Sequence, residues 1–210
     1  MPARIDAILF DLGGVMIELA GVERMLEWSP ALGTTEELWR RWLASPAVRD
    51  YETGRTGRET FADAIVAEFG LPVDDETFLG EFAWWPRTLH PGAGALLASL
   101  APRYTLASLS NTNELHWHRF ARDWDLPAMF HRNFPSFMVG RLKPDADYFE
   151  HVLDALGVAA ERALFVDDNR INVEAARAVG LHARLVPHFD ALAPALVEAG
   201  VDVRPRENER

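Results

Sequence analysis

The sequence contains no cysteine, which excludes a disulfide framework, a thiolate metal site and a cysteine nucleophile. It also lacks any run of about 18 consecutive apolar residues, the length that a membrane-spanning helix needs. The short apolar run near the N-terminus is interrupted by the carboxylate of Asp11. These absences predict a soluble, cytoplasmic protein without a membrane partner.

Positive charge is scarce as well. The 210 residues include 21 Lys and Arg against 32 Asp and Glu, so the formal net charge is −11. A protein that binds nucleic acid needs positive surface to displace counterions from phosphates, so we expect no nucleic-acid partner. An enzyme that acts on a negative substrate would need a local device to offset this charge.

Four short apolar runs predict buried strands. They are residues 7–10, 104–109, 163–166 and 182–186. Helix-like sequence separates the later runs, as in residues 145–156, where apolar side chains recur at helical spacing. Strands that alternate with helices are typical of an α/β fold in which a parallel sheet carries helices on both faces.

The stretch from about residue 22 to residue 85 differs from the rest. It is helical by pattern, contains no convincing strand and is punctuated by prolines. We therefore expect a helical insert that leaves the core after the first strand and returns before the second, through hinges at residues 16–21 and 86–92. The predicted division is a core at residues 1–18 and 88–210 and a helical cap at residues 19–87. The polar residues 203–210 are expected to form a disordered tail.

Residues that carry chemistry follow the predicted strands, at the edge where open α/β sheets bind ligands. They are Asp11 after the first run, Ser110 and Asn111 after the second, Lys143 further along, and Asp167 and Asp168 after the third. Clustered carboxylates repel one another unless a cation lies among them, and oxygen ligands without His or Cys favour Mg²⁺. A magnesium ion with Lys143 and Ser110 beside it suits a phosphoryl group.

Four motifs in this order resemble those of the haloacid dehalogenase superfamily of aspartate-nucleophile hydrolases. The motifs are Phe10-Asp11-Leu12-Gly13-Gly14-Val15, Leu109-Ser110-Asn111-Thr112-Asn113, Lys143-Pro144 and Phe165-Val166-Asp167-Asp168-Asn169. Their finer pattern is similar to the branch of bacterial glucose-1-phosphatase-like enzymes and the N-terminal phosphatase domain of soluble epoxide hydrolases. The helical insert is similar to that family's C1 cap.

The resemblance implies a Rossmann-like core in which Asp11 attacks phosphorus to form an aspartyl-phosphate, while Lys143 steadies nucleophile and phosphate. The phosphate-binding positions it implies are Ser110, Asn111 and Gly14. The implied Mg²⁺ ligands are Asp11, Asp168, the backbone carbonyl of Gly13 and, directly or through water, Asp167. Asn172 lies one turn along the next helix, where it is expected to hold the acidic loop in shape.

The sequence departs from the family at Gly13. The family's phosphatases usually carry a second aspartate there, which protonates the leaving oxygen and then activates water. Loss of such a group typically costs about 10²–10⁴ in rate, most severely for poor leaving groups. Either the leaving group is good, or catalysis is weak, or another side chain replaces the acid, with Glu18 and His116 as candidates. Trp85, beside the second hinge, is the tryptophan we nominate for the substrate pocket.

Four functions remain open from the sequence, and the last of them is a phosphoryl-transfer mutase, which needs the second aspartate more than a phosphatase does. The leading one is a Mg²⁺-dependent phosphatase of a small phosphorylated metabolite, as a monomer or homodimer. A metal-independent haloacid dehalogenase is opposed by the adjacent Asp167 and Asp168, which would be uncompensated charges without a metal. A degenerate member that only binds a phosphorylated ligand is favoured by Gly13 and opposed by the retained Asp11 and Lys143.

Overall fold

The structure is a computed structural model that describes residues 4–204 of the chain. These residues include seven strands and eleven α-helices. The strands are β1 (Ala7–Phe10), β2 (Ile17–Leu19), β3 (Pro86–Leu89), β4 (Thr105–Ser110), β5 (Arg132–Pro135), β6 (Ala163–Asp167) and β7 (His182–Leu185). The helices are α1 (Glu23–Trp28), α2 (Thr35–Ala44), α3 (Pro46–Glu52), α4 (Arg58–Phe69), α5 (Asp75–Phe82), α6 (Ala93–Leu100), α7 (Glu114–Trp124), α8 (Ser136–Val139), α9 (Ala146–Leu156), α10 (Arg170–Ala178) and α11 (Leu192–Glu198).

A parallel sheet of five strands, in the order β5-β4-β1-β6-β7, forms the centre of the fold. All four residues of β1 are buried, because the strand lies between two neighbours and is covered on both faces. Successive side chains alternate between the two apolar clusters, with Ile8 and Phe10 in one and Leu9 in the other. The α/β fold with a parallel sheet predicted from the sequence is confirmed.

Strand β5 is the member of the sheet that the sequence analysis did not predict. Its residues Arg132-Asn133-Phe134-Pro135 show no apolar run, and the strand lies at the edge beside β4. An edge strand tolerates polar side chains and a proline, because one of its sides needs no hydrogen-bonding partner. Hydrophobic patterning alone therefore does not find it.

Five helices, α1 to α5, lie between β2 and β3 and enclose a hydrophobic cluster of their own. Trp42 lies in this cluster against the rings of Phe61, Phe82 and Trp85, with centroid distances of 6.0, 5.7 and 4.7 Å. Thr34 begins α2 with a reciprocal capping box to Glu37. The helical character predicted for the insert matches these elements.

Two chain segments connect these helices to the sheet and pair with each other. β2 and β3 form an antiparallel ribbon in which Ile17 lies opposite Leu89 and Leu19 opposite Pro86. Hinges are predicted from the sequence at both segments, whereas their pairing into a ribbon is not. The division into a core at 1–18 and 88–210 and a cap at 19–87 stays a prediction, and its limits fall within this ribbon.

The remaining expectations concern the chain ends and the membrane. Of the tail predicted at residues 203–210, residues 205–210 lie outside the described residues, whereas Arg204 bonds to Asp202. Among residues 4–204, no helix combines the length and apolar character needed to cross a membrane.

Candidate active site

The carboxyl ends of β1, β4 and β6 open into one crevice between the sheet and the helices of the insert. Its volume is about 1040 Å³, at the upper end of ordinary small-molecule pockets. The predicted site residues that line it are Asp11, Gly13, Gly14, Ser110, Asn111, Lys143, Asp168 and Asn172, and the nominated His116 and Trp85 line it as well. Asp167 lies beneath it, fully buried. Parallel strands bring these side chains together because their carboxyl ends share one edge of the sheet.

Lys143, the only lysine in the chain, joins two of the carboxylates. Its Nζ lies 2.8 Å from Asp11 Oδ1 and 2.7 Å from Asp167 Oδ2, and its side chain is 1% exposed. Burial alone would lower the pKa of Lys143, but the two carboxylates outweigh burial and raise it. The ammonium therefore stays charged at neutral pH.

Both carboxylate oxygens of Asp167 accept hydrogen bonds from other groups of the protein. Besides Lys143, its oxygens accept from the Asn169 backbone N–H at 2.7 Å and from Asn172 Nδ2 at 3.1 Å to each oxygen. Asn172, on α10, thus bonds to the first residue of the acidic loop, and its role in holding that loop in shape stays a prediction. Asp167 fixes the lysine, and its assignment as a metal ligand stays a prediction.

Asp11, Asp167 and Asp168 form the acidic cluster of the crevice. Each offers a carboxylate oxygen, and these oxygens lie within 4.8 Å of one another. Burial raises the pKa of Asp11, Asp167 and Asp168 add to the rise, and Lys143 opposes it. Partial loss of solvent, followed by the charge of Asp167, raises the pKa of Asp168 to about 6. A divalent cation would remove this repulsion, and hard oxygen donors suit Mg²⁺. The residues present therefore fit the predicted cofactor.

Gly14 lies against Asp168 and has a positive φ of 73°. A Cβ at this position would collide with the Asp168 carboxylate, so the close approach requires glycine. The Gly14 N–H donates to the Ile17 carbonyl at 2.8 Å. Because that amide is already engaged, Gly14 makes room for Asp168 in this structure rather than offering its N–H to a phosphate.

Asn111 and Ser110 follow β4 but differ in what they contact. The Asn111 side chain donates to the Lys143 carbonyl at 2.9 Å and accepts from the Lys143 N–H at 2.8 Å. Its amide thereby holds the lysine loop instead of facing a ligand. Ser110 is 4% exposed, and its Oγ makes only one long bond, at 3.4 Å, to the Asn111 carbonyl. Ser110 is thus the freer of the two predicted phosphate-binding side chains.

Neither of the two candidate replacement acids, Glu18 and His116, is positioned to protonate a leaving oxygen. Glu18 is exposed on β2 and does not line the crevice. His116 is buried, and its Nε2 donates to the Phe82 carbonyl at 2.8 Å while Nδ1 accepts from Asn113 Nδ2 at 3.1 Å. Burial lowers the pKa of His116 to about 4, so the ring is neutral and both nitrogens are occupied.

Glu52 is a crevice residue that the sequence analysis did not identify. It ends α3 and lines the same crevice as Asp11 and Asp168. Burial raises the pKa of Glu52 to about 7, and the charge of Lys143 opposes the rise. A glutamate at a helix end carries no sequence signal of its own, so only the placement of α3 reveals it. Trp85, the nominated pocket residue, lines the crevice but is 5% exposed and packs mainly within the insert.

Comparisons with known proteins show the family to which the chain belongs. The chain matches the model of the haloacid dehalogenase-like hydrolases over residues 5–180. It is 28% identical over 189 residues to the sesquiterpene phosphatase astK of Aspergillus oryzae, covering 86% of this chain and 89% of that protein.

Two solved structures share the fold. One is a HAD family enzyme from Bacteroides thetaiotaomicron in complex with magnesium and inorganic phosphate, with a TM-score of 0.71 and 25% identity over 86% of this chain and 93% of that one. The other is the L-2-haloacid dehalogenase of Xanthobacter autotrophicus, with a TM-score of 0.64 and 27% identity over 96% of this chain and 85% of that one. The chain therefore belongs to the haloacid dehalogenase-like hydrolases.

Proposed function

We propose that this hydrolase is a Mg²⁺-dependent phosphatase of a small phosphorylated metabolite. The observation that carries the proposal is the acidic cluster of Asp11, Asp167 and Asp168 around the single ammonium of Lys143. When ionised, the three carboxylates exceed the ammonium by two negative charges, which one divalent cation balances. Asp11 and Asp168, with the Gly13 carbonyl, are the groups we assign to hold it.

Asp11 is the nucleophile in this proposal. Its Oδ1 accepts from the Leu12 N–H at 2.7 Å and from Lys143, whereas Oδ2 accepts no hydrogen bond from the described residues. A bond forms between Oδ2 and phosphorus as the bond from phosphorus to the leaving oxygen breaks. Water then attacks phosphorus, which releases inorganic phosphate and restores the carboxylate.

The surrounding groups stabilise the charge on the phosphoryl group. Asp167 holds the ammonium of Lys143, and Asn111 holds its backbone. The ammonium is therefore already in position when negative charge develops on the phosphoryl oxygens. Ser110 Oγ is free to donate to a phosphoryl oxygen. Bound magnesium would supply Lewis-acid polarisation of the same group.

The insert sets the size of the substrate. The crevice lies beneath helices of the insert, which favours a small phosphorylated molecule over a protein or nucleic acid. A lid of this kind also keeps bulk water from the reacting groups. The metabolite itself is defined here only by its phosphate.

The dehalogenase alternative shares the fold, so the fold does not separate the two activities. A metal-free site would leave the repulsion that raises the pKa of Asp168 without relief. The acidic cluster therefore favours the phosphatase.

A panel of phosphorylated metabolites and 2-haloacids, assayed with Mg²⁺ and with EDTA, tests the proposal. We expect phosphate release that EDTA abolishes and that Asp11→Asn lowers below detection. Halide release that survives EDTA would establish the dehalogenase instead. Phosphate release that survives Asp11→Asn would exclude the aspartyl-phosphate.

A further inference from the structure

Position 13 has no side chain that could act as an acid, and a side chain there would require Leu19 to move. A Cβ on Gly13 would lie 2.6 Å from Leu19 Cδ1, because the Leu19 side chain occupies the space above it. The proposed phosphatase therefore needs its proton donor from elsewhere in the crevice.

One face of α3 borders the crevice. Ser45, Val48, Arg49 and Glu52 line it, at the spacing of one helical stripe. Tyr51, the neighbour of Glu52, points instead into the insert and stacks on Phe61 with a centroid distance of 4.3 Å. The packing of Tyr51 thus turns Glu52 towards the crevice.

Two contacts hold this end of α3 against residues that follow β5. Arg49, one turn before Glu52, forms an ion pair with Asp145, two residues after Lys143. Two residues after Glu52, the backbone of Gly54 lies so close to the Phe137 carbonyl that a Cβ would collide with it. Glu52 lies between Arg49 and Gly54 in the chain, so these two contacts set its position relative to Lys143.

The carboxyl of Glu52 is half-buried and has no hydrogen-bond or ion-pair partner among residues 4–204. It lies close enough to Lys143 for the positive charge of the ammonium to lower its pKa. Burial without a partner raises its pKa to about 7, which suits a group that must both give and take a proton near neutral pH.

We propose that Glu52 is the general acid–base of this enzyme and takes the role for which position 13 has no side chain. The proposal rests on the phosphatase function proposed above. In the first step the Glu52 carboxyl gives its proton to the leaving oxygen as the phosphorus–oxygen bond breaks and Asp11 bonds to phosphorus. In the second step the Glu52 carboxylate takes a proton from water as the water oxygen bonds to phosphorus and the bond to Asp11 breaks.

The test compares Glu52→Gln with wild type on p-nitrophenyl phosphate and on a simple alkyl phosphate, with Mg²⁺. Nitrophenolate leaves without a proton, so the first step survives in Glu52→Gln, whereas the second step is slowed. We expect a burst of about one nitrophenolate per enzyme with acid-trapped phosphoenzyme, and turnover of the alkyl phosphate reduced by about 10²–10⁴.

Two control variants accompany the test. Glu76→Gln removes an exposed carboxylate from α5 of the same insert and should behave as wild type. Glu52→Asp keeps the carboxyl and should recover part of the alkyl phosphate activity.

The outcomes separate the two proposals. Equal losses on both substrates without a burst, or no loss at all, would overturn the role of Glu52 while leaving the phosphatase standing. A wild-type enzyme that hydrolyses neither these substrates nor the metabolite panel would overturn the phosphatase function itself.

Discussion

The sheet edge and the insert are held together by different forces. At the sheet edge, Lys143, Asp167 and Asn172 hold one another through directed hydrogen bonds between buried charged and polar atoms. In the insert, Trp42 and Phe82 hold the helices together through ring packing. Hydrogen bonds fix individual atoms, whereas packing fixes whole elements. Substitutions at the sheet edge should therefore act mainly on the chemistry, and those in the insert mainly on stability.

The largest effect is expected from Lys143→Gln, which removes the cation between two buried carboxylates. Phosphatase turnover should fall by about 10²–10³ or more. The free energy of unfolding should also fall, by about 3–5 kcal/mol, because Asp11 and Asp167 lose their partner. Steady-state kinetics and urea unfolding measure the two changes.

The matched control for Lys143 is Arg141→Gln, because Arg141 lies on the same loop with a 38% exposed side chain. Its surface ion pair with Asp147 is worth no more than about 1 kcal/mol. If Lys143→Gln changed turnover and stability as little as Arg141→Gln does, the buried ion pairs of Lys143 would matter no more than a surface ion pair.

Trp42→Ala should destabilise the insert by about 3–5 kcal/mol, because it leaves a cavity among packed rings. Trp84→Ala is the control, since Trp84 is 56% exposed and contacts Arg119 mainly across its ring face, at 4.0 Å. Its cost should be about 1 kcal/mol. Thermal unfolding monitored by circular dichroism distinguishes the two. If Trp42→Ala leaves stability intact but abolishes turnover, the core of the insert contributes to catalysis. That result would contradict the expectation that substitutions in the insert act mainly on stability.

His116 connects the two regions, because its ring donates to the Phe82 carbonyl at the end of α5. An unfolded histidine takes up a proton near pH 6.5, whereas the folded ring stays neutral until about pH 4. The unfolded state therefore binds more protons between these values, so stability is complete above pH 6.5 and is lost as the pH falls towards 4. The total loss is on the order of 3 kcal/mol.

Urea unfolding between pH 4 and pH 8 measures this dependence. The raised pKa values of Glu52 and Asp168 contribute with the opposite sign in the same range, so the His116 contribution is the difference between wild type and His116→Gln at each pH. This difference should shrink as the pH falls towards 4, whereas His118→Gln, which changes an exposed ring two residues away, should show no such change. An unchanged pH profile in His116→Gln would assign the acid sensitivity to other groups.

The smallest effect is expected from Asn172→Ala. Asp167 keeps Lys143 and the Asn169 N–H, so the loss of the amide should cost about 1 kcal/mol. The Mg²⁺ concentration for half-maximal activity should rise by about 10-fold or more, because the acidic loop is less well oriented. Glu174→Ala, an exposed change on the same helix, is the control. Equal effects of the two variants would argue that the loop is ordered without Asn172.

The sequence predicts the buried parts of the sheet well, because a strand covered on both faces must be apolar throughout. β1 illustrates this, as its predicted and observed bounds coincide. β5 escapes prediction because an edge strand has no such requirement.

The candidate site divides in the same way. The residues that follow buried strands, such as Asp11 and Asp167, are brought together as their order along the chain predicts. The partners of individual side chains are not predictable from that order. Asn111 bonds to the Lys143 backbone because the loops happen to meet there. Glu52 reaches the crevice because α3 contacts Asp145 through Arg49 and Phe137 through Gly54.

The single lysine of the chain has a practical consequence for studying the site in solution. With one lysine in 210 residues, isotopic labelling of that amino acid places a single side-chain reporter in the protein. Its signal comes from an ammonium that contacts both Asp11 and Asp167. Titration of Mg²⁺, of phosphate, or of acid can therefore be followed beside these two carboxylates, without assigning any other resonance.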